Sequence, residues 1–218
     1  ILVLFYLKIF NMEPSKTNIV IPDNIKGKAT DLEHSVTLKN RKEAVESFGR
    51  ACKRMLNVNL WHNLTGSGTA DFSLKNKEGH DIGRLARVGD YFQIDIPGPG
   101  LASGDGYDWV RVETIEDHAD PEAEEESIGL KVRSGENPNN QENETAHFFT
   151  SEATSSFIIN RKGNTVTASY HGRNELINTE TEKLQDKIRN TVVGASALIG
   201  ISELQWTALI KSFVKNEP

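Results

Sequence analysis

Phe157–Tyr170 reads FIINRKGNTVTASY. Two strand-forming runs, Phe157–Arg161 and Asn164–Tyr170, flank Lys162-Gly163, so the segment predicts an antiparallel hairpin. In its second arm Val166, Ala168 and Tyr170 alternate with Thr165, Thr167 and Ser169. That period of two belongs to a strand with one buried and one wet face. The same period runs back toward Gly66. Ala70, Phe72 and Leu74 alternate with polar neighbours, as do Phe92, Ile94 and Ile96. Val110 and Val112, then Ile128, Leu130 and Val132, repeat the pattern. About seven strands are expected after the first helix. No helical run separates them, which argues against βαβ crossovers and a doubly wound parallel sheet.

The period changes to 3.6 on either side of this block. Arg41–Leu56 places Val45, Phe48, Cys52, Met55 and Leu56 on one helical face. Acids sit in its first half and bases in its second, the order that complements the helix dipole. After the strands, Thr179-Glu180-Thr181-Glu182 forms a capping box. An apolar stripe then runs to Gly200, where the helix is expected to end. A second capping box, Ser202–Gln205, opens a last helix reaching about Lys215, with Trp206, Leu209, Ile210 and Phe213 on one face.

The expected fold class is therefore α+β: a curved antiparallel sheet or partial β-barrel of about seven strands, one helix before it and two helices after it. In element order, and not by any residue motif, the chain is similar to helix-grip lipid-binding and cyclase-like domains. A plain β-barrel with decorating helices fits the same order. Of the 218 residues, 1–16 read as an N-terminal tail and 17–218 as a single α+β domain.

The opening ILVLFYLKIF is far short of the roughly 20 apolar residues of a membrane-spanning helix. Residues 1–11 read best as lying upstream of a start at Met12, with a signal remnant or a strand as alternatives. The expected location is cytoplasmic, and residues 1–11 leave a secreted or lipid-associated form open.

Hydrophobic content of 37 % and charged content of 26 % exclude collagen, coiled-coil, multi-span membrane and wholly disordered classes. The net charge is −6, and eight acids fall in Glu113–Glu126 (ETIEDHADPEAEEE) with no Lys or Arg among them. Outside that stretch 23 acids face 25 bases, so the acidity is one local feature, read here as a loop over 116–127. Residues 134–146 have the composition of a flexible segment. Without a basic arm, nucleic acid is not expected as a partner. The single cysteine, Cys52, sits on an apolar stripe and reads as a buried, inert thiol.

No catalytic constellation assembles from the sequence, and an enzyme is the least favoured class. The six histidines lack the i, i+4 or H-x-H spacings of metal ligands, so no metal and no cofactor is expected. The glycine-rich loop 97–106 has no Lys-Ser/Thr and leads into a strand, so it does not read as a phosphate cradle. Behind it stand Asp105, Tyr107, Asp108 and Trp109, a set that either recognises a ligand or packs beneath its own loop. The run His171-Gly172-Arg173-Asn174-Glu175 ends the last strand. In an extended chain His171, Arg173 and Glu175 point to one side, and read either as an anion or carboxylate site or as a salt-bridged connector. The candidate ligand-binding residues are therefore His171, Arg173, Glu175, Asp105, Tyr107 and Trp109. The leading function is a binding domain enclosing a small, partly apolar ligand between the curved sheet and the C-terminal helices. The alternative is a protein–protein interaction domain that uses the acidic loop 113–126 or the C-terminal helix. Oligomeric state is not readable from the sequence.

Overall fold

The computed structural model describes residues 20–65, 70–96, 105–140, 145–178 and 192–215, with 192–202 as backbone. The expectations for residues 1–16, for most of the glycine-rich loop and for the capping box at 179–182 lie outside the described residues. The elements in chain order are β1 (Lys28–Thr37), α1 (Arg41–Leu56), a single 3-10 turn (Val58–Leu60), α2 (Trp61–Thr65), β2 (Asp71–Lys75), β3 (Tyr91–Asp95), β4 (Asp108–His118), β5 (Glu125–Ser134), β6 (Thr154–Lys162), β7 (Thr165–Glu175) and α3 (Val192–Phe213).

All strand pairs are antiparallel, and the order across the sheet is β1-β7-β6-β5-β4-β3-β2. The α+β class with a seven-stranded curved sheet is what the chain adopts. β1 and β2 remain as the two edges, so the sheet wraps its helices without closing into a barrel. Bulges at Glu113 in β4 and at Arg173–Asn174 in β7, opposite Ala29 of β1, add local bend and twist.

One strand arises where none is read from the sequence. β1 precedes α1, and six strands follow it. As an edge strand β1 pairs with β7 alone, and of its half-buried face only Leu32 and Val36 are large and apolar. Its alternation is therefore too polar to register as a strand.

α1 begins where the pattern places it. The Asn40 side chain accepts from the Glu43 backbone N–H at 3.0 Å, and the Glu43 carboxylate accepts from the Asn40 amide at 3.0 Å. This reciprocal cap satisfies a first-turn donor. The helix buries Ala44, Phe48, Ala51, Cys52 and Met55. Burial, then the carboxylates of Glu126 and Asp117, push the Cys52 thiol far above its ordinary value, which keeps it protonated and unreactive.

α3 runs unbroken through Gly200. The cost of one helix glycine, about 1 kcal/mol, is small against the docking of the turns beyond it: Leu209, Ile210, Phe213 and Val214 are all buried in the main core. Arg54 of α1 donates to the carbonyls of Phe213 and Lys215 at 3.0 and 2.6 Å, satisfying acceptors that the helix end leaves open.

The core centres on Trp61. Its ring lies 5.1–5.8 Å from Phe72, Phe92, Phe157 and Phe213, in tilted and edge-on arrangements. Its indole N–H donates to the carbonyls of Arg54 and Met55 at 3.1 Å, so this deeply buried donor is satisfied.

The acidic stretch is mostly not a loop. Glu113–His118 continue β4 and Glu125–Glu126 open β5, leaving only 119–124 as the connection. Glu126 is buried against Arg161 at 2.6 Å. Arg161 is 0 % exposed, and it also donates to the carbonyls of Ala123 at 2.7 Å and Gly163 at 3.0 Å. Arg41 donates to Pro121 and Ala123 from outside. Nor is the described part of 134–146 loose, since Asn137 and Ala146 are fully buried.

Removing one partner of a buried ion pair typically costs about 3–5 kcal/mol. Arg161→Met should therefore lower the urea-unfolding free energy by an amount of that order. Lys162→Met, on the exposed neighbour, should stay within about 0.5 kcal/mol of the parent. Equal small effects for both would contradict this account of the hairpin.

Candidate functional site

The end of β7 is where the chain departs from plain alternation. His171 and Arg173 do share the outer face, as their spacing requires. There Arg173 donates to Asp31 on β1 at 2.7 Å, and His171 Nδ1 lies 2.6 Å from the same oxygen. Partial burial alone would raise the Asp31 pKa, but the hydrogen bonds from Arg173 and His171 outweigh it and hold the carboxyl below its ordinary range.

Glu175 does not join them. Asn174 adopts the left-handed conformation at φ 56°, and its side chain accepts from the backbone N–H groups of Ile25 and Lys26 at 2.7 and 3.1 Å. That twist turns Glu175 toward the inner face. Its carboxylate accepts from the Tyr170 hydroxyl at 3.1 Å and from the Thr30 hydroxyl at 2.8 Å. Gly172 makes the room: a β-carbon there would stand 2.2 Å from a Glu175 carboxylate oxygen.

The result is a polar corner at the margin of an aromatic interior. The Tyr170 hydroxyl also meets Ser155 at 3.1 Å. Burial, then the adjacent Glu175 charge, raise the Tyr170 pKa well above its ordinary value, so the hydroxyl remains a donor. The Tyr170 ring stacks on half-exposed Trp206 of α3, with centroids 5.1 Å apart and planes at 18°, and Trp206 meets Phe157 edge-on at 5.5 Å. An ion pair between Lys28 of β1 and Glu203 of α3 spans the neighbouring rim. Glu175 is itself only half-buried. The arrangement offers a flat aromatic wall and one carboxylate able to accept from a third donor.

The other set of sequence-read residues lies on the far side of the sheet. Asp105 accepts from the Asn137 amide at 2.9 Å. Trp109 is buried with Tyr91 and Ala146, and Tyr107 packs against that cluster. The structure thus separates Asp105, Tyr107 and Trp109 from the β7 corner by the thickness of the sheet.

A third grouping was not legible as a spacing. Ser134 Oγ lies 3.1 Å from His147 Nδ1, and His147 Nε2 lies 3.8 Å from an Asp108 carboxylate oxygen. The residue types resemble those of a nucleophilic triad, but the contacts are those of a clamp. His147 Nδ1 accepts the Phe149 backbone N–H at 2.9 Å, and Asp108 accepts that of Phe148 at 3.0 Å. Burial outweighs the Asp108 charge and lowers the His147 pKa below 6.5. Among the described residues no three His, Cys, Asp or Glu side chains gather as a metal site requires, and no helix is long and apolar enough to cross a membrane.

No protein-family model and no curated protein matches the chain. Several solved structures follow a similar chain path. A major latex-like protein from Panax ginseng is 16 % identical over 82 % of this chain and 95 % of its own, with a TM-score of 0.35. Norcoclaurine synthase from Thalictrum flavum, in complex with dopamine and hydroxybenzaldehyde, is 9 % identical, with 100 % and 98 % covered and a TM-score of 0.36. An uncharacterized protein from Bacillus thuringiensis is 12 % identical, with 86 % and 100 % covered and a TM-score of 0.37. These are coarse likenesses of architecture, and nothing about the site rests on them.

The buried histidine carries a pH signature. Its folded pKa is lowered, so below about pH 6.5 the unfolded chain binds a proton that the folded chain resists. Lowering the pH from about 7 to about 5 should cost the parent protein stability relative to His147→Gln. Parallel curves of unfolding free energy against pH would show that the ring is not buried as described.

Proposed function

We propose that the protein is a small-molecule binding domain whose ligand lies between the curved sheet and α3, at the Glu175 corner. The supporting observation is the inward turn of Glu175. A left-handed Asn174 and a side-chain-free Gly172 together bring a half-buried carboxylate beside Tyr170 and Trp206. Left-handed backbone at a non-glycine residue costs on the order of 1 kcal/mol or more, and such positions concentrate at functional sites. Stability alone does not call for a carboxylate there, because the outer face already offers Arg173 a partner in Asp31.

The ligand that fits is partly apolar and flat, with a hydrogen-bond donor at one end. Its apolar body lies against Trp206, whose partial exposure leaves ring surface to cover. Its hydroxyl or ammonium donates to Glu175, while Tyr170 and Thr30 fix the carboxylate's other contacts. Pockets of this kind combine an apolar lining with a few placed polar groups. The interaction reading is less well supported, because the apolar face of α3 at Leu209, Ile210 and Phe213 is already buried within the chain.

The test is titration of the full chain with 2-naphthol, phenethylamine and decanoic acid, following tryptophan fluorescence and melting temperature. Saturable quenching with a rise in melting temperature is expected for at least one donor-bearing aromatic. Glu175→Ala should weaken it about tenfold or more, the scale of a hydrogen bond to a charged group. Gly172→Ala, which displaces the carboxylate, should act in the same direction. Absence of a saturable response to all three probes, or binding unchanged in Glu175→Ala, would sink this reading.

A further inference from the structure

The outer face of the sheet carries a cavity that is independent of the Glu175 corner. It encloses about 620 Å³ and opens to solvent between β3, β4 and β5. That volume lies within the usual range for small-molecule sites. Its floor is one row across three strands: Tyr91 pairs with Arg111, and Arg111 pairs directly with Arg133. Lys131, two residues before Arg133 on the same face, adds a third cation.

Two arginines directly opposite each other are an unfavourable cross-strand pair unless something anionic lies between or beside them. Among the described residues such an anion stands beside one of them. Glu113, placed by the β4 bulge, takes Arg133 through both carboxylate oxygens and also Lys131 at 3.3 Å. Burial would raise the Glu113 pKa, but the Arg133 and Lys131 contacts outweigh it and hold it ionised below its ordinary range. Arg133 is further tied to the backbone carbonyls of Ser151 and Glu152. Among the described residues Arg111 has no carboxylate or carbonyl partner, and it is exposed in the cavity. Glu136 also lines the wall, so among the described residues three cations face two carboxylates there.

We propose that this cavity binds a small organic oxyanion, a carboxylate or a phosphate, with Arg111 as its principal contact. A guanidinium offers a planar fork that matches either group bidentately. Lys131 supplies a second charge through the ammonium protons that Glu113 does not use. Val88, 59 % exposed at the cavity wall, gives the ligand's carbon skeleton an apolar surface beside Tyr91.

Isothermal titration at low ionic strength, with pyrophosphate in one arm and succinate in the other, tests this and separates the two sources of the oxyanion. Saturable binding is expected in at least one arm, weakening as salt is added. Arg111→Gln should weaken it at least tenfold. Lys77→Gln, on the exposed turn between β2 and β3, should leave it unchanged. No saturable heat in either arm would overturn the proposal. So would an Arg111→Gln variant that binds like the parent, or a Lys77→Gln variant that loses as much as Arg111→Gln, since binding would then follow overall charge. None of these outcomes depends on the Glu175 corner, which lies on the opposite face.

Discussion

The structure turns on the burial of one indole. Trp61 stands just past the end of α1, in a segment of only five helical residues, and its ring meets side chains from β2, β3, β6 and α3. A ring of that size cannot be placed in a close-packed interior without neighbours shaped around it. Its N–H must also find acceptors, and the carbonyls of Arg54 and Met55 at the end of α1 provide them. The chain therefore fixes three things at this point: the angle at which α1 leaves the sheet, the position of the β2 edge, and the depth to which α3 can dock. Truncating an aromatic in such a place removes contacts from five elements at once.

The opposite end of the core is held by charge. Arg161 points inward at a position where alternation calls for an apolar residue, and Glu126 answers it from the next strand. A buried ion pair is seldom a net gain over a hydrophobic one. What this pair does is geometric, because the guanidinium also gathers the carbonyls of the β4–β5 connection and of the β6–β7 turn. Beyond the β5–β6 ladder, the two hairpin ends are thereby tied to each other beside the start of α1. The local excess of acid in Glu113–Glu126 has the same explanation at both ends, since Glu113 is held by Arg133 and Lys131 and Glu126 by Arg161. Two of the eight acids of that stretch, one at each end, are thus internal partners of basic residues.

Both candidate sites depend on departures from regular strand geometry. At β7 the left-handed Asn174 reverses the side to which Glu175 points, and at β4 the bulge at Glu113 shifts the carboxylate toward Arg133 and Lys131. Regular alternation would have left Glu175 among the outer-face charges with His171 and Arg173. Instead the two faces of the sheet end with different chemistry. The inner one presents a carboxylate beside stacked aromatic rings, and the outer one presents Arg111, which has no carboxylate bonded to it among the described residues.

The α+β class, the bounds of α1 and six of the seven strands are legible in the residue pattern, because periods of 3.6 and 2 follow from which face of an element is buried. The run that contains Glu175 also stands out there, with Glu175 expected on one side with His171 and Arg173. The residue pattern does not disclose β1, whose edge position asks for little apolar surface, nor the continuity of α3 through Gly200, where docking outweighs the local signal to stop. Which side of the sheet Glu175 faces, the burial of Trp109 and the placing of Arg111 opposite Arg133 emerge only when the strands are assembled. These are relations between residues on different strands or across a single irregular dihedral. Register and bulges set them, and no pattern along one segment encodes either.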